Sequence, residues 1–228
     1  MKKVFGIIGN PVKHSLSPIL HNYWFDKYNI DANYSIIEAT EKDLPTIVQK
    51  VKDGIYSGIN VTLPFKQRVF NHIDKAINDA ELTGSVNTIF MDKDKNIIGE
   101  NTDVFGLQAA YLKEIENSLS KKVLIIGAGG VSPSVILSFQ KSGIKNISIT
   151  NRTKEKCIFL KKKFKLLKLL PWKELKDEIK NFDIIVNATS LGLKDGVDFD
   201  FDFKDAKNNL IYIDTIYNPL ETKTLKYL

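Results

Sequence analysis

Short apolar runs alternate with segments of helical spacing along most of the chain. Val4–Ile8, Asn33–Glu38 and Ile59–Leu63 have the composition and length of strands. Between them, Ser17–Tyr28 is predicted as a helix with Ser17 as N-cap and Pro18 at the first helical position, and Asp43–Lys52 as a second helix ending near Gly54. Thr88–Met91 and Ile97–Gly99 predict a hairpin around the polar stretch Asp92-Lys93-Asp94-Lys95-Asn96. Val104–Leu119 again has helical spacing and is expected to bridge to a second domain. There, the apolar run Val123–Ile126 reads as a buried strand. A helix over Val131–Lys141, with Pro133 in its first turn, ends at Gly143. The strand Asn146–Thr150, the helix Lys154–Phe164 and the strands Ile184–Val186 and Leu210–Ile213 follow. The pattern predicts two α/β domains, residues 1–103 and 104–228, with no repeat and no flexible linker.

Composition narrows the setting without changing this picture. The chain has 228 residues, 43% hydrophobic and 26% charged, which is ordinary for a globular protein. Cys157 is the one cysteine, so no disulfide forms within the chain, and a reducing cytoplasm is the expected location. The start, Met1 to Ile8, has the charge order of a signal peptide, but its apolar run stops at Gly9-Asn10-Pro11 and reads as a first strand. No apolar stretch has the length of a membrane span. A net charge of +6 invites a nucleic-acid reading. The lysines are scattered, however, and the densest run, Lys161-Lys162-Lys163-Phe164-Lys165, lacks aromatic interleaving, so no nucleic-acid partner is expected. His14, His21 and His72 show no zinc spacing with the cysteine and are read as loop, helix-face and surface residues, with no metal site. Cys157 is expected to pack rather than react. Trp24 and Phe25 are expected in the core, and Arg68 at the surface.

The candidate chemistry begins at Gly127-Ala128-Gly129-Gly130, directly after the buried strand. A glycine turn between strand and helix lets backbone N–H groups approach a pyrophosphate, and the helix dipole favours the anion there. Here the pattern is Gly127-x-Gly129-x-x-Ser132. Taken alone it also fits a plain turn. The end of the next strand adds information. An acid at that place would bind the ribose hydroxyl of NAD, whereas this chain has Asn151-Arg152-Thr153 with Lys154 and Lys156 nearby. Only two of the 33 basic residues are arginines. A guanidinium here can grip a 2′-phosphate, so NADP is the expected cofactor, with an ordinary surface arginine as the alternative. Upstream lie Lys66, closing Asn60-Val61-Thr62-Leu63-Pro64-Phe65-Lys66, and Asp103, closing Gly99-Glu100-Asn101-Thr102-Asp103. An ammonium group can protonate an oxygen that gains charge as hydride arrives. From spacing alone the two could equally be a surface ion pair.

Further motifs accompany these. They are Gly9-Asn10-Pro11-Val12-Lys13-His14-Ser15-Leu16-Ser17-Pro18, Gly84-Ser85-Val86-Asn87-Thr88, Asn187-Ala188-Thr189-Ser190-Leu191-Gly192 and Asp214-Thr215-Ile216-Tyr217-Asn218-Pro219-Leu220-Glu221-Thr222. Together, and in this order, the motifs resemble the shikimate dehydrogenase family over nearly the whole chain. The resemblance implies an α/β substrate domain, a Rossmann-type NADP-binding domain and an active site in the cleft between them. It implies NADPH-linked reduction of 3-dehydroshikimate to shikimate, a step toward aromatic amino acids, with Lys66 and Asp103 catalytic. Ser15, Ser17 and Tyr217 would meet the substrate carboxylate, Thr62 would lie near substrate and Asn87 would meet its hydroxyls. Gly127, Ala128, Gly129, Gly130, Val131, Asn151, Arg152, Thr153, Lys156, Thr189 and Thr215 would line the cofactor. The protein is expected to act as a monomer or homodimer.

One departure from the pattern stands out. The family continues past this point with a glycine near the nicotinamide and a Gly-x-x-Met-Leu-x-x-Gln helix, whereas this sequence ends at Leu225-Lys226-Tyr227-Leu228. A fragment and a shortened form both fit. Without that helix an apolar patch is expected to be exposed on each domain, which favours association or instability. Two further readings stay open: an NAD-dependent quinate/shikimate dehydrogenase, against which Arg152 at the strand end argues, and, given the absent segment, a relative that binds nucleotide or metabolite without turnover.

Overall fold

The computed structural model describes residues 2–115, 118–193 and 197–228. The chain divides into two compact units, Met1–Asp103 and Val104–Leu228.

The first unit is built on a six-stranded sheet: β1 (Lys3–Gly9), β2 (Ala32–Glu38), β3 (Gly58–Val61), β4 (Lys75–Ala76), β5 (Thr88–Met91) and β6 (Ile97–Glu100), in spatial order β2-β1-β3-β5-β6-β4. β1 pairs parallel with β2 and β3, β5 runs antiparallel to β3 and β6, and β4 is parallel to β6. The helices of this unit are α1 (Ser17–Lys27), α2 (Leu44–Lys52) and α3 (Asp79–Thr83). α2 shows why the sequence pattern works. Leu44, Ile47, Val48 and Val51 recur on one helical face, and all four are buried. Thr40 starts the segment with a reciprocal cap, its backbone N–H and hydroxyl both donating to Asp43 Oδ2 at 2.7 Å. The hairpin turn is held by Asp92, whose Oδ1 accepts from the N–H groups of Asp94 and Asn96. β3 ends at Val61, two residues before the predicted end, because the N–H of Phe65 turns back onto the C=O of Thr62 at 2.9 Å.

Two expectations for α1 are corrected. Leu16, not Ser17, occupies the N-cap, and no side chain caps the helix; instead the N–H of Ser17 donates to Ser15 Oγ at 3.3 Å. Trp24 is not core. α1 has no buried residue, because its apolar side chains spread around the helix and one sheet face cannot cover them all. Phe25 packs against Phe5 at the edge of a small core of Ile7, Val12 and Tyr34. Tyr23, Trp24 and Tyr28 lie outside with the Lys27 ammonium over the Tyr23 and Trp24 rings.

The second unit holds a five-stranded, all-parallel sheet: β7 (Val123–Ile126), β8 (Ile147–Thr150), β9 (Lys168–Leu169), β10 (Ile184–Asn187) and β11 (Ile211–Asp214), in order β11-β10-β7-β8-β9. This is the order in which the chain starts at the centre and winds outward in both directions, as in doubly wound nucleotide folds. Its helices are α4 (Asp103–Ala110, which starts on the last residue of the first unit), α5 (Ser132–Lys141), α6 (Lys154–Lys163), α7 (Leu175–Glu178) and α8 (Lys223–Tyr227). β7 alternates between two cores: Val123 and Ile125 pack with α5 and β8, while Leu124 and Ile126 pack with Leu175, Ile179, Phe182 and Phe203. The helix predicted over 104–119 is shorter. Tyr111 leaves helical backbone angles (φ −121°), and short 3-10 turns at Leu112–Glu114 and Ser118–Ser120 follow; residues 116–117 lie outside the described residues.

Candidate active site

In the first unit the fold brings Lys66 and Asp103 together. Lys66 follows the Thr62–Phe65 turn, where the fully packed Phe65 anchors the segment and the Lys66 C=O accepts from the N–H of Val86 at 2.8 Å. Asp103 opens α4, and its N–H donates to Oδ1 of the buried Asn101 at 3.0 Å. Asn101 is itself held by donation from Nδ2 to the C=O of Ser85 at 2.8 Å. The Lys66 ammonium then sits 2.8 Å from Asp103 Oδ2, with side-chain exposures of 15% and 21%. That is far from the solvated ion pair that spacing alone allows. Asn87 Nδ2 donates to the other carboxylate oxygen, Asp103 Oδ1, at 2.8 Å. Both oxygens of Asp103 are thus engaged by donors, which fixes the plane of the carboxylate.

Thr62 is half-buried at the end of β3, its N–H on the C=O of Ile8. Gly9 lies against it so closely that a Cβ there would meet Thr62 Cγ2 at 2.5 Å. Ser15 and Ser17 stand together at the start of α1. Arg68 pairs with Glu41 at the surface. His21, on α1, stacks on Tyr34 at 4.3 Å, and burial lowers its pKa. Sequence reasoning missed the residues behind the pair: Tyr34, Asn60, Thr88, Asn101 and Thr102. The available signal was register. Asn60 and Thr88 are directly paired across β3 and β5.

In the second unit, the glycine turn leads from β7 into α5. Gly127 adopts φ +114°, and a Cβ there would meet the Ala188 carbonyl oxygen at 2.6 Å, so only glycine fits. At Gly129 a Cβ would meet nothing closer than Ala188 O at 3.9 Å. Open space over the second glycine is what a pyrophosphate requires. Ser132 Oγ accepts from the Gly129 N–H and donates to the Gly127 C=O, both at 3.0 Å, tying the turn shut from within. The Ala128 N–H reaches Asn151 Oδ1 at 3.3 Å, which links the turn to the end of β8. There Arg152, Thr153 and Lys156 are exposed, and Val131 and Asn151 half-buried. Asn187, at the end of β10, organises the opposite wall. Its Oδ1 accepts from the Thr189 N–H and hydroxyl, and its Nδ2 donates to Leu191 O and Asp214 Oδ1. Its C=O accepts from the Thr215 N–H and hydroxyl. Asp214 also accepts from the Ile216 N–H and Thr222 hydroxyl, yet burial raises its pKa. Tyr217 is exposed, at 52%. Cys157 is buried, which pushes its thiol up to about 11. An open second glycine, basic groups after β8 and Asn151 rather than an acid at the strand end fit the residues of this unit to a 2′-phosphorylated dinucleotide.

A lysine–carboxylate pair in one unit and a dinucleotide-type α/β fold in the other are the parts of a nicotinamide-dependent oxidoreductase. Residues 7–89 match the model of the shikimate dehydrogenase substrate binding domain, and residues 110–193 that of shikimate / quinate 5-dehydrogenase. The shikimate dehydrogenase (NADP(+)) of Pelagibacter ubique is 41% identical over 226 residues, covering 99% of this chain and 83% of that protein. That of Bacillus subtilis is 32% identical over 99% of this chain and 82% of its own length. Among solved structures, shikimate dehydrogenase from Aquifex aeolicus gives a TM-score of 0.90 at 35% identity over 99% of this chain and 82% of that one. The Thermus thermophilus shikimate 5-dehydrogenase, solved with NADP(H) and shikimate, gives 0.86 at 28% identity, over 99% of this chain and 83% of that one. The chain belongs to the shikimate dehydrogenase family.

Proposed function

We propose that this protein catalyses the NADPH-dependent reduction of 3-dehydroshikimate to shikimate, with Lys66 and Asp103 as its acid–base pair. The observation that carries the reading is the 2.8 Å contact between the Lys66 ammonium and the Asp103 carboxylate in a mostly buried setting. The NADP(+) in the relatives' names and the NADP(H) and shikimate held by the Thermus relative support the substrate and cofactor. The chemistry that NADPH supplies when bound is hydride donation to the substrate carbonyl carbon. Lys66 stabilises the negative charge arriving on the carbonyl oxygen and delivers the proton that makes it a hydroxyl. In the oxidative direction the neutral amine of Lys66 takes that proton back. Asp103 keeps the ammonium aimed and has lone pairs left to accept from a neighbouring substrate hydroxyl. Ser15, Ser17 and Tyr217 hold the carboxylate, Thr62 and Asn87 flank the ring, and Arg152 with Lys156 meets the 2′-phosphate.

The test follows the near-ultraviolet absorbance of NADPH with shikimate and NADP. Lys66→Ala is expected to lower kcat about 10²–10⁴-fold with KM little changed. A near-normal kcat removes Lys66 from the reaction. Parallel runs with NAD and with quinate read the cofactor and substrate preference.

A further inference from the structure

We propose that Tyr34, Asn60 and Thr88 are positioning residues for the Lys66–Asp103 pair, forming a one-way chain of hydrogen bonds that decides which end of the Asn87 amide faces Asp103. The inference rests on the acid–base reading above and adds residues to it. The two ends of an asparagine amide have nearly the same shape, but only the NH₂ end attracts a carboxylate. If Asn87 turned its oxygen toward Asp103, lone pairs would face lone pairs, and the carboxylate would swing off its line to Lys66. The Thr102 N–H, 3.1 Å from Asn87 Oδ1, opposes that turn from one side, and the upstream chain opposes it from the other.

The structure lays out that chain one proton at a time. Tyr34 is 4% exposed, and its hydroxyl lies 2.6 Å from Asn60 Oδ1. Burial raises the phenol's pKa well above its ordinary value, so the proton stays on and is given to Asn60; the Ser17 hydroxyl is the phenol's other hydrogen-bond neighbour. With its oxygen taken, Asn60 directs Nδ2 the other way, to Thr88 Oγ1 at 3.0 Å and the Asn87 C=O at 3.3 Å. Thr88 Oγ1, accepting that N–H, has one proton of its own, and it points to Asn87 Oδ1 at 3.0 Å. The Thr102 N–H reinforces this at 3.1 Å. Asn87 is left with its NH₂ toward Asp103 Oδ1 and Thr102 Oγ1, at 2.8 and 2.9 Å. The far end is anchored. Asn22 makes a two-way clamp on the Tyr34 backbone at 2.9 Å, and His21 lies flat on the ring at an interplanar angle of 7°.

The experiment compares Tyr34→Phe, Thr88→Val, Thr88→Ser and the double variant Tyr34→Phe/Thr88→Val with the parent and with Lys66→Ala, after far-ultraviolet circular dichroism shows each folded. Tyr34→Phe and Thr88→Val are each expected to lower kcat about three- to tenfold, the loss of one buried neutral hydrogen bond, with KM for shikimate changed less than about twofold. Thr88→Ser restores the parent value. The double variant falls little further than the worse single, since one break interrupts the whole chain. The pH limb of kcat moves in both single variants, a change that mere loosening of the fold would not produce. Should Tyr34→Phe fail to fold, the Thr88→Val and Thr88→Ser pair decides alone. Normal kcat and an unmoved pH limb in these variants, alongside an inactive Lys66→Ala, overturn this proposal while sparing the acid–base reading. A rise in KM alone does the same, by assigning Tyr34 to Ser17. An active Lys66→Ala overturns both.

Discussion

The two glycines of the β7–α5 turn should separate folding from binding when each is changed to alanine. At Gly127 the backbone is in a region that L-residues rarely adopt, which costs about 1–3 kcal/mol by itself. The added Cβ also meets Ala188 O at 2.6 Å, Ala188 C at 2.8 Å and Thr189 Cγ2 at 2.8 Å. Two of those atoms are backbone just past the end of β10, so relief requires the end of an interior strand to move. Together these give a loss of about 3–5 kcal/mol, a large share of the 5–15 kcal/mol that holds a typical domain. At Gly129 the same methyl meets only one atom, at 3.9 Å, and its φ lies outside the left-handed range. Gly129→Ala is expected to leave stability within about 1 kcal/mol of the parent, or slightly above it, because alanine restricts the unfolded chain. Its methyl nevertheless fills the space assigned to the pyrophosphate, so NADPH affinity should fall at least about tenfold. Urea unfolding followed by circular dichroism reads the first quantity, and calorimetric titration with NADPH the second. Gly129→Ala binding NADPH with parental affinity would refute the turn as a phosphate cradle. Gly127→Ala with parental stability would refute the steric argument.

Three further outcomes are expected. Arg152→Ala should weaken NADPH binding about 10- to 100-fold while leaving NADH binding nearly unchanged, as calorimetry with both nucleotides can check; equal losses would remove the 2′-phosphate contact. Asp214 has a raised pKa in the folded state, so the native form holds its proton more tightly than the unfolded chain does, and its contribution to stability falls as pH rises from the ordinary carboxyl range through the folded value. Asp214→Asn should therefore gain on the parent as pH is raised from about 4 toward 7 in denaturation series, and a pH-independent difference would contradict the assignment. Cys157, buried with its thiol pushed up to about 11, should react with a thiol reagent at neutral pH only as fast as the protein unfolds; rapid labelling of native protein would contradict its burial.

Much of the architecture is readable because period and punctuation agree. β7 is an unbroken apolar run and β10 is apolar up to Asn187, Gly143 closes α5 at a positive φ, and the Asp92–Asn96 stretch carries the hairpin turn. α1 misleads because its apolar residues do not form one stripe, so the pattern does not say which of them the sheet covers. Lys66 and Asp103 stand 37 positions apart, and no local rule joins them; motif resemblance does so, and the fold adds the buried contact. The Tyr34-to-Asn87 chain is illegible for a different reason. An aromatic on a strand reads as core, and asparagine and threonine at strand ends read as boundaries. Only the pairing of β3 with β5 turns them into neighbours.

The two-sided burial of β7 has an evolutionary reading. Each of its four residues is fully enclosed, and they alternate between separate interiors. No position there can drift to a polar residue without charging one hydrophobic compartment or the other, so a saturation library should be depleted of polar variants at all four sites alike. A strand with one wet face would give every second site freedom. Sequence change in this unit is thereby pushed outward, to edges and loops, while the segment that delivers the glycine turn stays frozen.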